Sequence, residues 1–288
     1  MPTQPDQLRP LPVSPGPVHN ETLGSYLHRL AIANNRPAGV LARLLGPLPP
    51  EFSPLSDTTA TWTPHSPHGL ATLAERPVTV LARALPALAD FLNPDGPQPR
   101  PHRVIGRPCR CCTARRSSTA SLVILVLPAH QHLCWRHQRW TRSTHDIPLT
   151  HLPEVIPAQR RLDQLARRYR HLGQALNLAR KIVEEWSFSG MPIDLASEWT
   201  DRLDRIERHP ASMRIPAEDR HHLAAFPEIA VLANLILDPP THTIDPKELY
   251  IATTAELSRR FARIYTTFGT QDPLYQRFCK PFAAQTPD

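Results

Sequence analysis

Residues 30–48 read LAIANNRPAGVLARLLGPL, and residues 70–88 read LATLAERPVTVLARALPAL. The two stretches align at an offset of forty residues without a gap, and ten of nineteen positions are identical. The pairs are Leu30/Leu70, Ala31/Ala71, Arg36/Arg76, Pro37/Pro77, Val40/Val80, Leu41/Leu81, Ala42/Ala82, Arg43/Arg83, Leu45/Leu85 and Leu48/Leu88. In each copy an Arg-Pro pair separates two runs whose apolar residues recur at three- and four-residue spacing, which predicts helix, tight turn, helix. Proline suits the first turn of the second helix, where a missing N–H goes unnoticed. DNA-reading helix-turn-helix elements and plain helical hairpins share this outline. The Asn34-Asn35 turn makes the first copy the more typical of a DNA reader.

Upstream, residues 1–18 form a Pro-rich arm expected to be irregular. Asn20 is a good N-cap, with Glu21 in the first turn, for a helix that places Leu23, Tyr26, Leu27, Leu30 and Ala31 on one face. Residues 49–67 are a polar loop, and residues 93–108 a Pro-rich linker. Beyond Pro157 the chain reads as helix throughout. Residues 158–186 carry Leu162, Leu165, Ala166, Tyr169, Leu172, Leu176 and Ala179 on one stripe. Further helices are expected near 192–208, 217–237, 245–268 and 272–282, with turns at Pro210, Pro239-Pro240 and Gly269. The expected fold is mainly α. A tandem helix-turn-helix region spans 19–92, a small zinc ribbon with a β-hairpin and its linker spans 93–150, and a helical bundle spans 151–288.

Composition sets outer limits. Of 288 residues 41% are hydrophobic but only 6% aromatic, so the core must rest on Leu, Ala, Val and Ile. A net charge of +7 favours a polyanionic partner. Arginine outnumbers lysine thirty to three, a bias that GC-rich coding also produces, so charge alone does not establish that partner. The N-terminus lacks an apolar signal-peptide core, and the most apolar run, Leu122 to Leu127, is too short to span a membrane. The expectation is a soluble cytoplasmic protein with no membrane partner.

Four of the five cysteines fall within 26 residues beside a histidine, which is not the spacing of a secreted disulfide framework. Cys109-Arg110-Cys111-Cys112 is followed, after twenty-one residues, by Cys134-Trp135-Arg136-His137. Two knuckles of this kind make a zinc-ribbon pattern, because a two-residue gap lets both side chains of a knuckle reach one ion. Cys109, Cys112, Cys134 and His137 would fill a tetrahedron and leave no open position, which implies one structural Zn2+. Cys111 could replace a neighbour, and His130 or His132 could compete with His137. Buried cysteines without metal are the plain alternative. A deaminase-type zinc site is set aside, since His102 and His130 lack a glutamate two residues on. Residues 121–127, SLVILVL, predict a strand of a hairpin packed on the ribbon. Cys279 is read as an ordinary thiol.

The segment Glu21-Thr22-Leu23-Gly24-Ser25-Tyr26-Leu27-His28-Arg29-Leu30-Ala31 resembles the opening motif E-[ST]-L-x-S-[YW]-L-x-R-L-A of the TniQ/TnsD family of transposition target selectors. Arg107-Pro108-Cys109-Arg110-Cys111-Cys112 is similar to that family's first knuckle, and Leu133-Cys134-Trp135-Arg136-His137, followed by Trp140, to its return knuckle. The resemblance covers about residues 10–145. It implies a helix-turn-helix and zinc-finger protein that binds target DNA or a guide-RNA effector complex. Such a protein recruits an AAA+ ATPase transposition regulator, and through it a transposase.

If double-stranded DNA is the ligand, the second helix of each repeat would read it. Arg36, Arg43, Arg76 and Arg83 are then the candidate contacts, with Arg107, Arg110, Arg115 and Arg116 around the first knuckle. Each could equally be the solvated face of an amphipathic helix. Trp135, Trp140 and Trp62 could stack on bases, but Trp135 and Trp140 fit better as the small core of the ribbon. No P-loop, G-x-S-x-G or H-E-x-x-H motif is present, and the carboxylates are dispersed, so no catalytic residues are expected. The leading expectation is a target-selection adaptor. The alternatives are a stand-alone helix-turn-helix transcriptional regulator and a protein-binding helical scaffold.

Overall fold

The computed structural model describes residues 8–47, 52–94, 103–114, 123–143, 146–189, 193–210, 212–240, 245–261 and 272–279. The described residues form thirteen α-helices and five short strands, so the fold is mainly α, with small antiparallel sheets. Among them no helix is long and apolar enough to cross a membrane. The chain divides into two compact units, Met1–Ala129 and His130–Asp288.

In the first unit α1 (Leu23–Ala33), α2 (Ala38–Leu45), α3 (Ser66–Ala74), α4 (Val78–Ala84) and α5 (Pro86–Leu92) each pack on the next, and α5 returns to α1. This ring encloses a core of Tyr26, Leu27, Leu30, Leu41, Leu70 and Leu81 with their neighbours. The two copies of the repeat share one turn. Asn35 and Glu75 occupy the left-handed region at φ 52° and 49°. The next N–H then reaches back five residues, from Arg36 to Ala31 O at 2.9 Å and from Arg76 to Ala71 O at 3.1 Å. This is the Schellman closure that ends a helix and points the chain into a new one, with the proline directly behind it.

α1 is capped two residues later than expected. Thr22 is the N-cap, accepting the Ser25 N–H at 3.1 Å, whereas Asn20 takes a left-handed φ of 61°. Glu21 is drawn into a buried network instead of serving the helix dipole. Its carboxylate accepts from Arg29 Nε and Nη2, both at 2.8 Å, from Ser25 Oγ at 2.8 Å and from the Val18 N–H at 2.9 Å. Ser25 Oγ in turn accepts the Ile124 N–H at 3.0 Å, and Thr22 Oγ1 donates to Pro54 O at 2.6 Å. A Cβ at Gly24 would overlap the Ser53 carbonyl oxygen, so that position tolerates no side chain. The polar residues Glu21, Thr22, Ser25 and Arg29 of the 21–31 segment therefore all serve the interior.

Residues 8–18 are irregular, as expected, but they are tied to both repeat turns. The Val13 backbone exchanges two hydrogen bonds with the Asn34 side chain at 2.9 and 2.6 Å. Ser14 Oγ donates to Ala74 O, and Arg76 donates to Ser14 O at 3.2 Å. Strand β1 (Arg103–Gly106) lies inside the stretch predicted as linker and pairs antiparallel with β2 (Leu125–Pro128). The strand expected at 121–127 thus begins later, with Ser121 and Leu122 outside the described residues. β2 is anchored at the start of α1, since Val126 N–H donates to Asn20 O at 2.7 Å and Thr22 N–H to Ile124 O at 2.9 Å.

In the second unit β3 (Leu133–Cys134), β4 (Arg139–Trp140) and β5 (Ile147–Pro148) form an antiparallel meander. They are followed by α7 (Val155–Arg168), α8 (Leu172–Ser189), α9 (Ile193–Glu207), α10 (Ala217–Ala224), α11 (Phe226–Leu237), α12 (Pro246–Phe261) and α13 (Pro273–Cys279). α11 is the axis. Eight of its twelve residues are buried, and it packs on both α7 and α8. Its buried Glu228 is matched by Arg202 of α9 at 2.7 Å and by Trp199 Nε1 at 3.1 Å.

Two expected helices are each split. The stripe over 158–186 breaks at Tyr169, which is extended, giving α7 and α8. One helix of that length would run about 44 Å, whereas α11 is only about 18 Å long. Both halves can reach α11 only if the chain turns. The helix expected at 217–237 breaks at Ala225 because Pro227 lacks an N–H and crowds the preceding turn. The end expected for α12 at 268, Gly269, and the residues expected to extend the last helix to 282 lie outside the described residues.

Candidate metal centre

Cys109 is buried, and its carbonyl accepts the N–H of Cys112 at 2.9 Å and of Thr113 at 3.1 Å. These bonds open the short helix α6 (Arg110–Ala114) directly behind it. One helical turn returns residue i+3 to the side of residue i, while Cys111 stays exposed. The second knuckle is the turn between β3 and β4, closed by Gln138 at φ 45°. Across it, Cys134 Sγ lies 3.7 Å from His137 Nδ1.

The ligand atoms of Cys109, Cys112, Cys134 and His137 all lie within 4.8 Å of one another. A tetrahedral ion with bonds of about 2.0–2.3 Å has ligand–ligand edges of about 3.3–3.8 Å. The four residues could therefore hold one metal ion, and three thiols with an imidazole are a soft donor set. The choices left open by the sequence close on this group. Cys111 is outside it, and so are His130 and His132.

The approach to the second knuckle is clamped by a residue that sequence reading passed over. Gln159, buried in α7, accepts the His132 N–H at 3.0 Å and donates to His130 O and Asp163 Oδ1, both at 2.7 Å. His130 Nε2 is thereby left 4.0 Å from Asp163. The His132 ring is buried against Trp140, at 5.1 Å between centroids, and Phe226, at 4.8 Å. Trp140 is thus core, as expected. Trp135 lies at the tip of the knuckle with its Nε1–H on Asp163 Oδ2 at 3.0 Å. Trp62 is half-buried, edge-on to Phe91.

A scan against protein-family models, a search of curated proteins and a search of solved structures find no match to this chain.

The candidate DNA contacts fall into three groups. Arg36, Arg43 and Arg83 are exposed and make no ion pair among the described residues. Arg76, the repeat partner of Arg36, is half-buried and committed to Ser14 O. Arg107 is half-buried and Arg110 exposed beside the first knuckle, while Arg115 and Arg116 lie outside the described residues.

The aromatic cluster behind the second knuckle predicts a pH response. Burial first, and then the charges of Arg180 and Arg142, push His222 down to about 3. Its ring also meets His132, likewise held well below the usual range by burial first and then by His222 and Arg142. An unfolded chain takes up a proton near pH 6.5 that the fold refuses, so stability falls as pH drops from about 7 towards 3. Relative to His222→Phe, the wild-type protein should lose about 2 kcal/mol on going from pH 7.5 to pH 5. Urea titrations of both proteins at the two pH values measure this. Equal losses would mean the ring is solvated in the fold.

Proposed function

We propose that this chain is a zinc-stabilised, non-catalytic DNA-binding adaptor of the TniQ type. The observation that carries the reading is the repeated helix-turn-helix. Two copies with one turn geometry bury matching leucines and leave Arg36, Arg43 and Arg83 on the surface. A grip on duplex phosphates needs solvent-facing arginines, and Arg43 of α2, Arg83 of α4 and Arg36 in the turn before α2 answer to it.

The metal is taken to be zinc because a Cys3His set leaves no position for water or substrate, as in structural sites. The ion would hold the two knuckles, and the chain's own contribution is the turn geometry at Cys109 and Gln138. Recruitment of an AAA+ ATPase regulator, and through it a transposase, rests on the resemblance of residues 21–31 and of the knuckles. Engagement of a guide-RNA complex rests on the same resemblance.

Fluorescence anisotropy with a labelled DNA duplex tests the reading. The wild-type affinity should fall steeply from about 50 to 200 mM salt, and Arg36→Gln/Arg43→Gln/Arg83→Gln should flatten the log–log slope by about 2–3. Absence of duplex binding at low salt would leave the protein-binding scaffold. The exposed Val40 and Val80, on the same second helices, favour that alternative.

A further inference from the structure

We propose that the second unit carries a platform for single-stranded nucleic acid, formed by Trp135, Arg136, Arg160, Arg167 and Arg168. It is distinct from the duplex-reading helices proposed above. Trp140 and Trp186 are each 1% exposed and Trp199 is 7%, but Trp135 is 39% exposed. Its single polar atom is nonetheless satisfied internally. The indole N–H donates to Asp163 Oδ2, and the other oxygen of that carboxylate is held by Gln159. The ring is therefore pinned by its edge and left outside the core. The Arg160 guanidinium lies over it, 5.9 Å from the ring centroid. A fixed indole bordered by a guanidinium, with Arg136 exposed next in the chain, offers a stacking surface beside positive charge. That is the combination that holds a base and its phosphate together.

The charge continues along α7. From Arg160 the exposed positions at i+4, i+7 and i+8 are Gln164, Arg167 and Arg168. Arg167 stands about 10 Å along the axis from Arg160. An ordinary solvated face interleaves acids and bases. α8 does so with Arg180 and Glu184, and α12 with Glu256, Arg259 and Arg260. The only acid of α7 is Asp163, which faces Gln159 and Trp135. The stripe is left basic from end to end. A single strand fits better than a duplex, because a duplex hides the base faces that an exposed indole would stack on.

The full-length protein is titrated against fluorescein-labelled oligodeoxythymidylate, oligouridylate and a DNA duplex, each of about 20 nucleotides or base pairs, several binding sites long. Trp135→Leu is expected to weaken binding of a single strand at least about 10-fold, the loss of one stacked base. Arg160→Gln/Arg167→Gln/Arg168→Gln is expected to flatten the single-strand salt slope by about 2. Both variants should leave duplex binding unchanged. The arginine variant replaces only exposed side chains of α7 and no candidate ligand, so it tests the platform while Trp135 stays in place. Preference for one of the two oligonucleotides identifies the strand as DNA or RNA and supports the platform either way. Unchanged single-strand binding in both variants overturns it, and so does an equal loss for duplex and single strand. The duplex reading fails separately, since Arg36→Gln/Arg43→Gln/Arg83→Gln should not alter single-strand affinity.

Discussion

Purified under reducing conditions, the protein is expected to contain about one zinc ion per chain, the capacity of one Cys3His set. Cys109→Ser/Cys134→Ser should abolish that content. The argument is geometric first. Each pair is positioned by its own backbone, Cys109 and Cys112 by the opening turn of α6 and Cys134 and His137 by the β3–β4 turn. Neither turn is apolar enough to hold itself. β3 and β4 contribute two residues each, and α6 buries no side chain of its own. Such short elements depend on a cross-link, and a structural zinc supplies an apparent binding free energy of about 10–16 kcal/mol at neutral pH. That is comparable to the whole stability of a domain, about 5–15 kcal/mol. Chelation should accordingly lower the thermal midpoint and open the amides of residues 109–114 and 133–140 to exchange. Elemental analysis and hydrogen exchange with and without chelator check both points. A protein that is purified without metal and whose exchange pattern chelator leaves unchanged would reduce the four residues to three ordinary thiols and a histidine.

The second large effect lies at the Glu21–Arg29 pair. Removing the carboxylate in Glu21→Ala should destabilise the fold by about 3–5 kcal/mol, because it strands a buried guanidinium. Both groups are buried and make two hydrogen bonds to each other, and Arg29 also donates to Gly16 O at 2.8 Å. A full exchange for apolar residues, Glu21→Leu/Arg29→Met, should cost less than the sum of the two single changes, since no charge is left without a partner. Urea titration of the four proteins gives the coupling. A Glu21→Ala cost under about 1 kcal/mol would mean that water reaches Arg29 in the folded protein.

The Glu21–Arg29 pair also marks where sequence reading reached its limit. The helical alternation of the repeat was legible because it is local. Leu30, Leu41 and Leu45 recur at helix spacing and recur again forty residues later, and Pro37 and Pro77 mark the same turn. The knuckle pairs were legible because the two-residue gap is itself the geometry. Strand β1 was not, because its segment is only four residues long and Pro-flanked and becomes a strand only through β2. Gln159 offered no signal either. A glutamine on a helix face is ordinary until the His130–His132 backbone lies against it.

By itself, then, the sequence determined the helix periods, the repeated turn and the identity of four candidate ligands, all properties of residues within a few positions of one another. Tertiary structure decided which polar residues face inward. Asn20 was the better local cap, yet Thr22 caps α1 because Glu21 is held by Arg29 and Val126 is bonded to Asn20 O. It also decided that 158–186 is two helices, because α11 is too short to cover one. Arg36 and Arg76 stand at identical places in the repeat, but only Arg76 meets the arm at Ser14. Such outcomes depend on partners brought together by folding from distant positions, and no local pattern encodes them.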